Sequence, residues 1–252
     1  MKISVLSSGS KGNTTYIEAN KTKILIDCGN SSKYITSKLS KINVTPEQID
    51  AVLITHTHSD HIKGLNVFTK KTNACIYMTE KMHPFLDYID NYQLITNDCF
   101  TIKDLQITTI KTSHDVEDSL GYIISYHNKT VVHITDTGYI NKKYFELLSN
   151  KELYIFESNH DVEMLNNSSY PFELRQRIVS DKGHLSNYDS AKYLSKFIGE
   201  NTKKIILAHL SEENNTELLA INTLKDRLKK EKIEFNNIII AKQNQETELI
   251  TI

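Results

Sequence analysis

Residues 54 to 65 read Ile-Thr-His-Thr-His-Ser-Asp-His-Ile-Lys-Gly-Leu, so His56, His58, Asp60 and His61 crowd one short stretch. Imidazole and carboxylate are the donors that suit zinc, manganese or iron, and four of them this close are too many for one tetrahedral ion. Two divalent cations are the economical expectation. An isolated His-x-His is usually a solvated loop. Here the run follows the apolar strand pattern Ala51 to Thr55 and leads into a helical pattern from His61 to Phe68, with Gly64 allowing close packing. That order of strand, ligand loop and helix is the arrangement a metal site requires.

The surrounding chain supplies elements to hold such a loop. Runs rich in Ile, Val and Tyr predict strands over Ile3–Leu6, Thr15–Glu18, Lys23–Asp27, Ala51–Thr55, Ala74–Met78, Leu105–Ile110, Gly121–Tyr126 and Thr130–Ile134. Leu153–Glu157, Lys204–Ala208 and Asn236–Ala241 read as further strands. Helical patterns fall near Ser32–Leu39, Lys142–Leu148, Tyr170–Val179, Tyr188–Phe197 and Thr216–Lys230, the last with an apolar stripe of Leu218, Ile221, Leu224 and Leu228. Two packed sheets flanked by helices follow, as one domain over residues 1–252, because no linker or composition break divides the chain. The longest candidate for an unstructured segment is Glu157 to Asn187, a length that tends to carry function.

Composition bounds the function. Hydrophobic residues are 39% and charged residues 24% of the 252, an ordinary globular balance. No apolar run is long enough to cross a bilayer, and the five-residue run near the N-terminus is too short for a signal peptide, so a cytoplasmic, non-membrane protein is expected. Cys28, Cys75 and Cys99 are odd in number and widely spaced, which argues against a disulfide framework or thiolate zinc site. The net charge of −1 lacks the basic excess of a protein that grips nucleic acid by charge alone, so local groups would have to attract a polyanion.

With these motifs assembled, the chain resembles the metallo-β-lactamase superfamily. The resemblance implies an α/β fold, a four-layer αββα sandwich, with its site at the sheet edges. It implies that His56, His58 and His114, in "KTSHDVEDSLGY", hold a first metal. Asp60, His61 and His209, in "IILAHLSEENN", would hold a second, with Asp136 of "VVHITDTG" bridging both. Asp27, ending "KILIDCG", would orient ligands without being one. Each has a plainer reading: His114 as a surface histidine, and Asp136 and Asp27 as strand-end turn formers. His83, His127 and His133 have no motif support and read as surface or strand histidines.

Paired divalent ions, Zn²⁺ or Mn²⁺, share and activate a hydroxide, so hydrolysis is the expected chemistry and no serine or cysteine nucleophile is needed. The segments "SSGSKGN", "ESNHDVEML", "YPFELRQRI" and "KGHLSN" are similar to the bacterial YycJ (WalJ) exonuclease group, relatives of tRNase Z and the β-CASP nucleases. That resemblance implies a DNA exonuclease acting from the 5′ end, with Asp60, Asp136 and His184 as catalytic residues. His184 would contact the scissile phosphate or protonate the leaving oxygen. Ser8, Ser10, Lys11 and Asn13 form a candidate phosphate nest, although alone they read as a hairpin loop. Arg175 and Arg177 are candidate phosphate forks, Glu157 a candidate orienter of a ligating histidine, and His160 and Asp161 candidate linings of the substrate path. Tyr170 and Phe172 read first as core and second as base-stacking residues. The rival functions are a thioester or lactam hydrolase, a diiron redox protein, an RNA-processing nuclease, and a binding module that has lost a ligand. Oligomeric state is not legible.

Overall fold

The computed structural model describes all 252 residues, Met1 to Ile252. Strands β1 (Lys2–Ser7), β2 (Thr14–Ala19), β3 (Thr22–Ile26), β4 (Ala51–Leu53), β5 (Cys75–Met78) and β6 (Tyr92–Leu94) precede β7 (Cys99–Ile102), β8 (Leu105–Lys111), β9 (Leu120–Tyr126) and β10 (Lys129–Ile134). Then come β11 (Leu153–Glu157), β12 (Lys204–Ala208), β13 (Ile238–Ile240) and β14 (Ile250–Thr251). They build two seven-stranded sheets, ordered β14-β1-β2-β3-β4-β5-β6 and β13-β12-β11-β10-β9-β8-β7. Within each sheet one half is antiparallel and the other parallel: β3 to β6 run together in the first, β10 to β13 in the second. The carboxyl ends of parallel strands share one edge, which is where α/β proteins place their sites.

Helices α1 (Ser32–Lys41), α2 (Ser59–Ile62), α3 (Leu65–Thr69), α4 (Phe145–Leu148), α5 (Val162–Asn166), α6 (Phe172–Val179), α7 (Asn187–Phe197) and α8 (Glu217–Lys230) complete the chain. A core of 40 buried residues joins the two sheets and the inner sides of α1 and α3. A second of 17 residues seals α7 and α8 onto the far face of the second sheet through Leu194, Phe197, Leu224 and Leu228. Helix, sheet, sheet and helix therefore stack as the expected αββα sandwich. No helix is long and apolar enough to cross a membrane.

The structure departs from the sequence reading in identifiable places. The helix expected from His61 to Phe68 is two short ones, broken where Gly64 lets the backbone approach so closely that a Cβ there would lie 2.0 Å from the Asn30 carbonyl oxygen. Edge strands β6, β7 and β14 are only two to four residues long and carry no alternation that a pattern could reveal. On α8, Leu218 is 68% exposed and Ala220 takes its place in the buried stripe with Leu224 and Leu228. The segment from Glu157 to Asn187 is ordered into α5 and α6. Asp161, expected along the substrate path, instead caps α5 by accepting from the Glu163 and Met164 amides.

Candidate metal centre

Three loops are laced together before any side chain is placed. The Asn13 amide donates to the Asp60 carbonyl at 2.8 Å, the Cys28 amide to His61 at 2.8 Å, and the Gly64 amide to Cys28 at 2.8 Å. Gly29 makes that lacing possible, since a Cβ there would lie 1.6 Å from the Asp60 carbonyl oxygen. The ligand loop after β4 is thus pinned to the turn after β3 and to the loop between β1 and β2. From it project His56, His58, Asp60 and His61. The β8–β9 loop contributes His114, and the turns after β10 and β12 contribute Asp136 and His209.

These seven residues converge. Ligand atoms of His56, His58 and His114 lie within 4.8 Å of one another, as do those of Asp60, His61 and His209. Asp136 stands between the two groups: its Oδ2 is 3.3 Å from His61 Nε2, and its Oδ1 is 4.0 Å from His114 Nε2 and 3.2 Å from His209 Nδ1. Three atoms of the cluster, His56 Nε2, His209 Nε2 and Asp136 Oδ2, are buried with no hydrogen-bond partner. Stranding buried polar atoms costs about 1–3 kcal/mol each, so their convergence fits a site built for cations.

Neighbouring groups fix which nitrogen of each ring is free. His114 Nδ1 donates to the Gly183 carbonyl at 3.2 Å, leaving Nε2, which lies 3.2 Å from His58 Nδ1. His61 Nδ1 is 2.7 Å from Asp27 Oδ2, which turns Nε2 toward Asp60 and Asp136. Asp27 also accepts from the Thr55 amide at 2.8 Å and the Thr55 hydroxyl at 2.7 Å. Complete burial pushes the Asp27 carboxyl up, against the pull of His61 and Thr55. Burial also works against charge on His61, but Asp27, Asp136 and Asp60 outweigh it and raise that imidazole well above its ordinary value. Asp27 holds Nδ1, so Nε2, which also meets the Asn13 side-chain amide at 3.0 Å, is the atom that faces Asp60 and Asp136.

Glu157 performs the same task on the opposite side. Oε1 accepts from His184 Nδ1 at 2.7 Å and from His209 Nδ1 at 3.1 Å, while Oε2 accepts from the Thr137 and Leu185 amides at 3.0 and 3.1 Å. Burial opposes its charge, but His184 and His209 hold the Glu157 carboxyl down at about 2. Burial likewise opposes charge on His209, and Asp136, Asp60 and Glu157 overcome it to raise that ring to about 10. Such matched carboxylates fix tautomer and orientation, the role that supporting groups play around ligating histidines.

A cavity of about 260 Å³ opens over these groups, lined by His58, Asp60, His114, Asp136, His184 and His209, with Ser10, Arg177 and Tyr170 at its margins. Of the residues expected to meet substrate, Ser10, Arg177 and His184 line it, as does Tyr170, whose second reading is base stacking. Ser8 and Asn13 are turned inward as scaffold. The Ser8 hydroxyl accepts from the His209 amide at 2.8 Å, and the Asn13 side chain reaches Asp60 Oδ2 at 3.1 Å and His61 Nε2 at 3.0 Å. Lys11 pairs with Glu212, and Arg175 binds the Asn166 carbonyl oxygen. His160 is buried in a bridge to Ser186, and burial lowers its imidazole to about 4. Sequence reasoning missed Asp115, which pairs with Arg177, and Asn159 and Ser211, which also line the cavity. Asn159 and Ser211 each sit two residues beyond a site residue at a strand end, Glu157 and His209, which is the signal that could have found them. His133 is a buried strand histidine against Thr15, apart from the centre.

Known proteins are similar to this chain. Exodeoxyribonuclease WalJ of Streptococcus pneumoniae serotype 2 (strain D39 / NCTC 7466) is 42% identical over 236 residues, covering 90% of this chain and 88% of that protein. Exodeoxyribonuclease YycJ of Bacillus anthracis is 35% identical over 227 residues, covering 87% and 86%. Among solved structures, the metallo-beta-lactamase fold protein YhfI from Bacillus subtilis superposes with a TM-score of 0.74 over 98% of each chain at 19% identity, a likeness of fold. The family described as the beta-lactamase superfamily domain matches residues 22–210, three-quarters of the sequence and every candidate metal-binding residue. The chain belongs to the beta-lactamase superfamily, in its metallo-β-lactamase-fold branch.

Proposed function

We propose that this chain is a metal-dependent phosphodiesterase, a DNA exonuclease that acts from the 5′ end as one domain over residues 1–252. The observation that carries the hydrolase reading is the convergence of seven ligand-type side chains on one cavity, with His56 Nε2, His209 Nε2 and Asp136 Oδ2 buried and unpartnered. Likeness over nine-tenths of the chain to a protein named an exodeoxyribonuclease supports DNA as the substrate. A cytoplasmic setting agrees with that substrate.

His56, His58 and His114 would hold one cation, and Asp60, His61 and His209 a second, with Asp136 reaching both; zinc and manganese suit these donors. Divalent cations bound there supply an activated water and neutralise charge on a phosphoryl group. The remaining work falls to the protein. Glu157 accepts a hydrogen bond from His184 Nδ1, so His184 Nε2 is left for the cavity, where the ring protonated on both nitrogens can give its Nε2 proton to the leaving oxygen and return to the neutral form. Arg177, whose Nε is taken by Asp115, can turn its terminal amines to a phosphate.

The test is to incubate Zn²⁺- or Mn²⁺-loaded protein with 5′-labelled and 3′-labelled duplex and single-stranded DNA, matching RNA, a thioester and a chromogenic lactam. Release of labelled nucleotide from the 5′ end, abolished by Asp136→Ala, supports the proposal. Turnover of the thioester or lactam alone, or nucleotide release that survives Asp136→Ala, refutes it.

A further inference from the structure

Helix α6 is anchored almost entirely by polar contacts. None of its eight residues is buried, and its apolar members Phe172, Leu174, Ile178 and Val179 belong to neither hydrophobic core. What holds it is the Arg177–Asp115 ion pair, the Arg175 bond to Asn166, and the His184 amide donating to the Ile178 carbonyl at 2.9 Å. A helix this short is marginal without packing, so a protein that keeps one here has another use for its apolar side. Leu174 and Ile178, one turn apart, line the catalytic cavity together with Tyr170 just before the helix. They are its apolar wall. Apart from Leu210, the rest of the lining is polar or charged and includes Ser10, Asn159 and Ser211.

We propose that α6 is the nucleoside-binding wall of the site, with Leu174 and Ile178 packing against the sugar and base next to the scissile phosphate. The inference rests on the phosphodiesterase reading and deepens it. Phosphate chemistry needs only charged and hydrogen-bonding groups, and the floor of the cavity already supplies them. Two aliphatic side chains one turn apart add nothing to that chemistry, but they offer a surface to the apolar faces of a nucleoside without reading base identity. At about 260 Å³ the cavity can take one nucleoside beside the scissile phosphate. Because α6 contributes to neither core, trimming Leu174 or Ile178 should weaken substrate binding without unfolding the protein.

Two chromogenic esters isolate this contact: thymidine 5′-(4-nitrophenyl phosphate) and methyl 4-nitrophenyl phosphate, which differ only by the nucleoside. The metal-loaded wild type should favour the thymidine ester in kcat/KM. Leu174→Ala and Ile178→Ala should each shrink that preference by about 5- to 10-fold, chiefly through KM. The methyl ester should stay within about twofold, and the thermal midpoint of each variant should remain near that of the wild type. A wild type without preference for the nucleoside, an equal loss on both esters, or a variant that melts as a core truncation does would overturn the proposal. If the wild type cleaves neither ester nor DNA, it is the phosphodiesterase reading that fails.

Discussion

Glu157→Gln removes one charge and one acceptor while keeping the shape of the side chain. In the native protein four donors meet the carboxylate: His184 Nδ1 at 2.7 Å, His209 Nδ1 at 3.1 Å, and the Thr137 and Leu185 amides at 3.0 and 3.1 Å. Glutamine has one acceptor oxygen, and its NH₂ must face two of those donors. If the oxygen stays with the histidines, two backbone N–H groups are stranded at about 1–3 kcal/mol each, so stability falls by about 2–6 kcal/mol. If it turns to the backbone, each imidazole can move its proton to Nε2 and accept at Nδ1. Stability is then spared, but His209 Nε2, buried and unpartnered in the native structure, carries a proton and loses its lone pair for a metal.

Urea unfolding of metal-free protein and calorimetric metal titration distinguish these outcomes. The variant should show either the stability loss or a fall of about 10- to 100-fold in metal affinity, confined to one of two sites. Stability within about 0.5 kcal/mol of the wild type together with unchanged affinity at both sites would refute the claim that Glu157 sets the tautomer of His209.

Gly29→Ala would drive a Cβ to 1.6 Å from the Asp60 carbonyl oxygen, so the turn after β3 must shift; a loss of about 3 kcal/mol in urea and at least about tenfold in activity is expected. Chelation should lower the thermal midpoint: a free metal concentration 100 times Kd contributes about 2.7 kcal/mol, or about 5–11 °C for a chain this size, and readdition of Zn²⁺ or Mn²⁺ should restore it. Glu246 binds Lys38 at 2.5 Å and Lys41 at 2.6 Å, strapping the C-terminal segment to α1. Burial works against its charge, but the two lysines hold its carboxyl down at about 2. A depressed carboxyl stabilises the fold above its unfolded value near 4.5, and that contribution disappears as the pH falls toward 2. Glu246→Gln should therefore cost about 1–2 kcal/mol at pH 7, after allowance for screening at exposed Lys41, and almost nothing near pH 2.

How far the sequence carries the reader depends on how local each signal is. The ligand loop was legible because strand, His-x-His-x-Asp-His and Gly64 sit side by side, and β12 was bounded correctly because its apolar run is sharply flanked by polar residues. β6 and β14 carry no such signal, because a two- or three-residue edge strand is defined by its partner across the sheet and not by its own alternation. The loop Ser7–Asn13 misled for a related reason. Small polar residues suit an anion nest and also suit tight lacing of loops, and only the tertiary partners Asp60, His61 and His209 decide between them. Asp115 was invisible because its partner, Arg177, lies 62 residues away.

Asp27 and Asp136 show why the choice between turn former and site residue was never exclusive. Both, with His209, adopt left-handed backbone conformations, at φ of 61°, 56° and 57°. Aspartate and histidine are among the few non-glycine residues that enter this region with any frequency, at about 1–2 kcal/mol each. Each of the three lies just past a strand, β3, β10 or β12, where the chain must turn sharply before it leaves the sheet edge. A glycine would turn more cheaply but bring no donor atom, and a larger aliphatic residue would resist the turn. The residue types that tolerate the conformation are thus also types that can bind a cation or orient a residue that does, so one position can serve both ends. Accepting the strain three times, once in the first sheet and twice in the second, sets Asp27 against His61 and carries Asp136 and His209 to a common centre without any long loop to hold them.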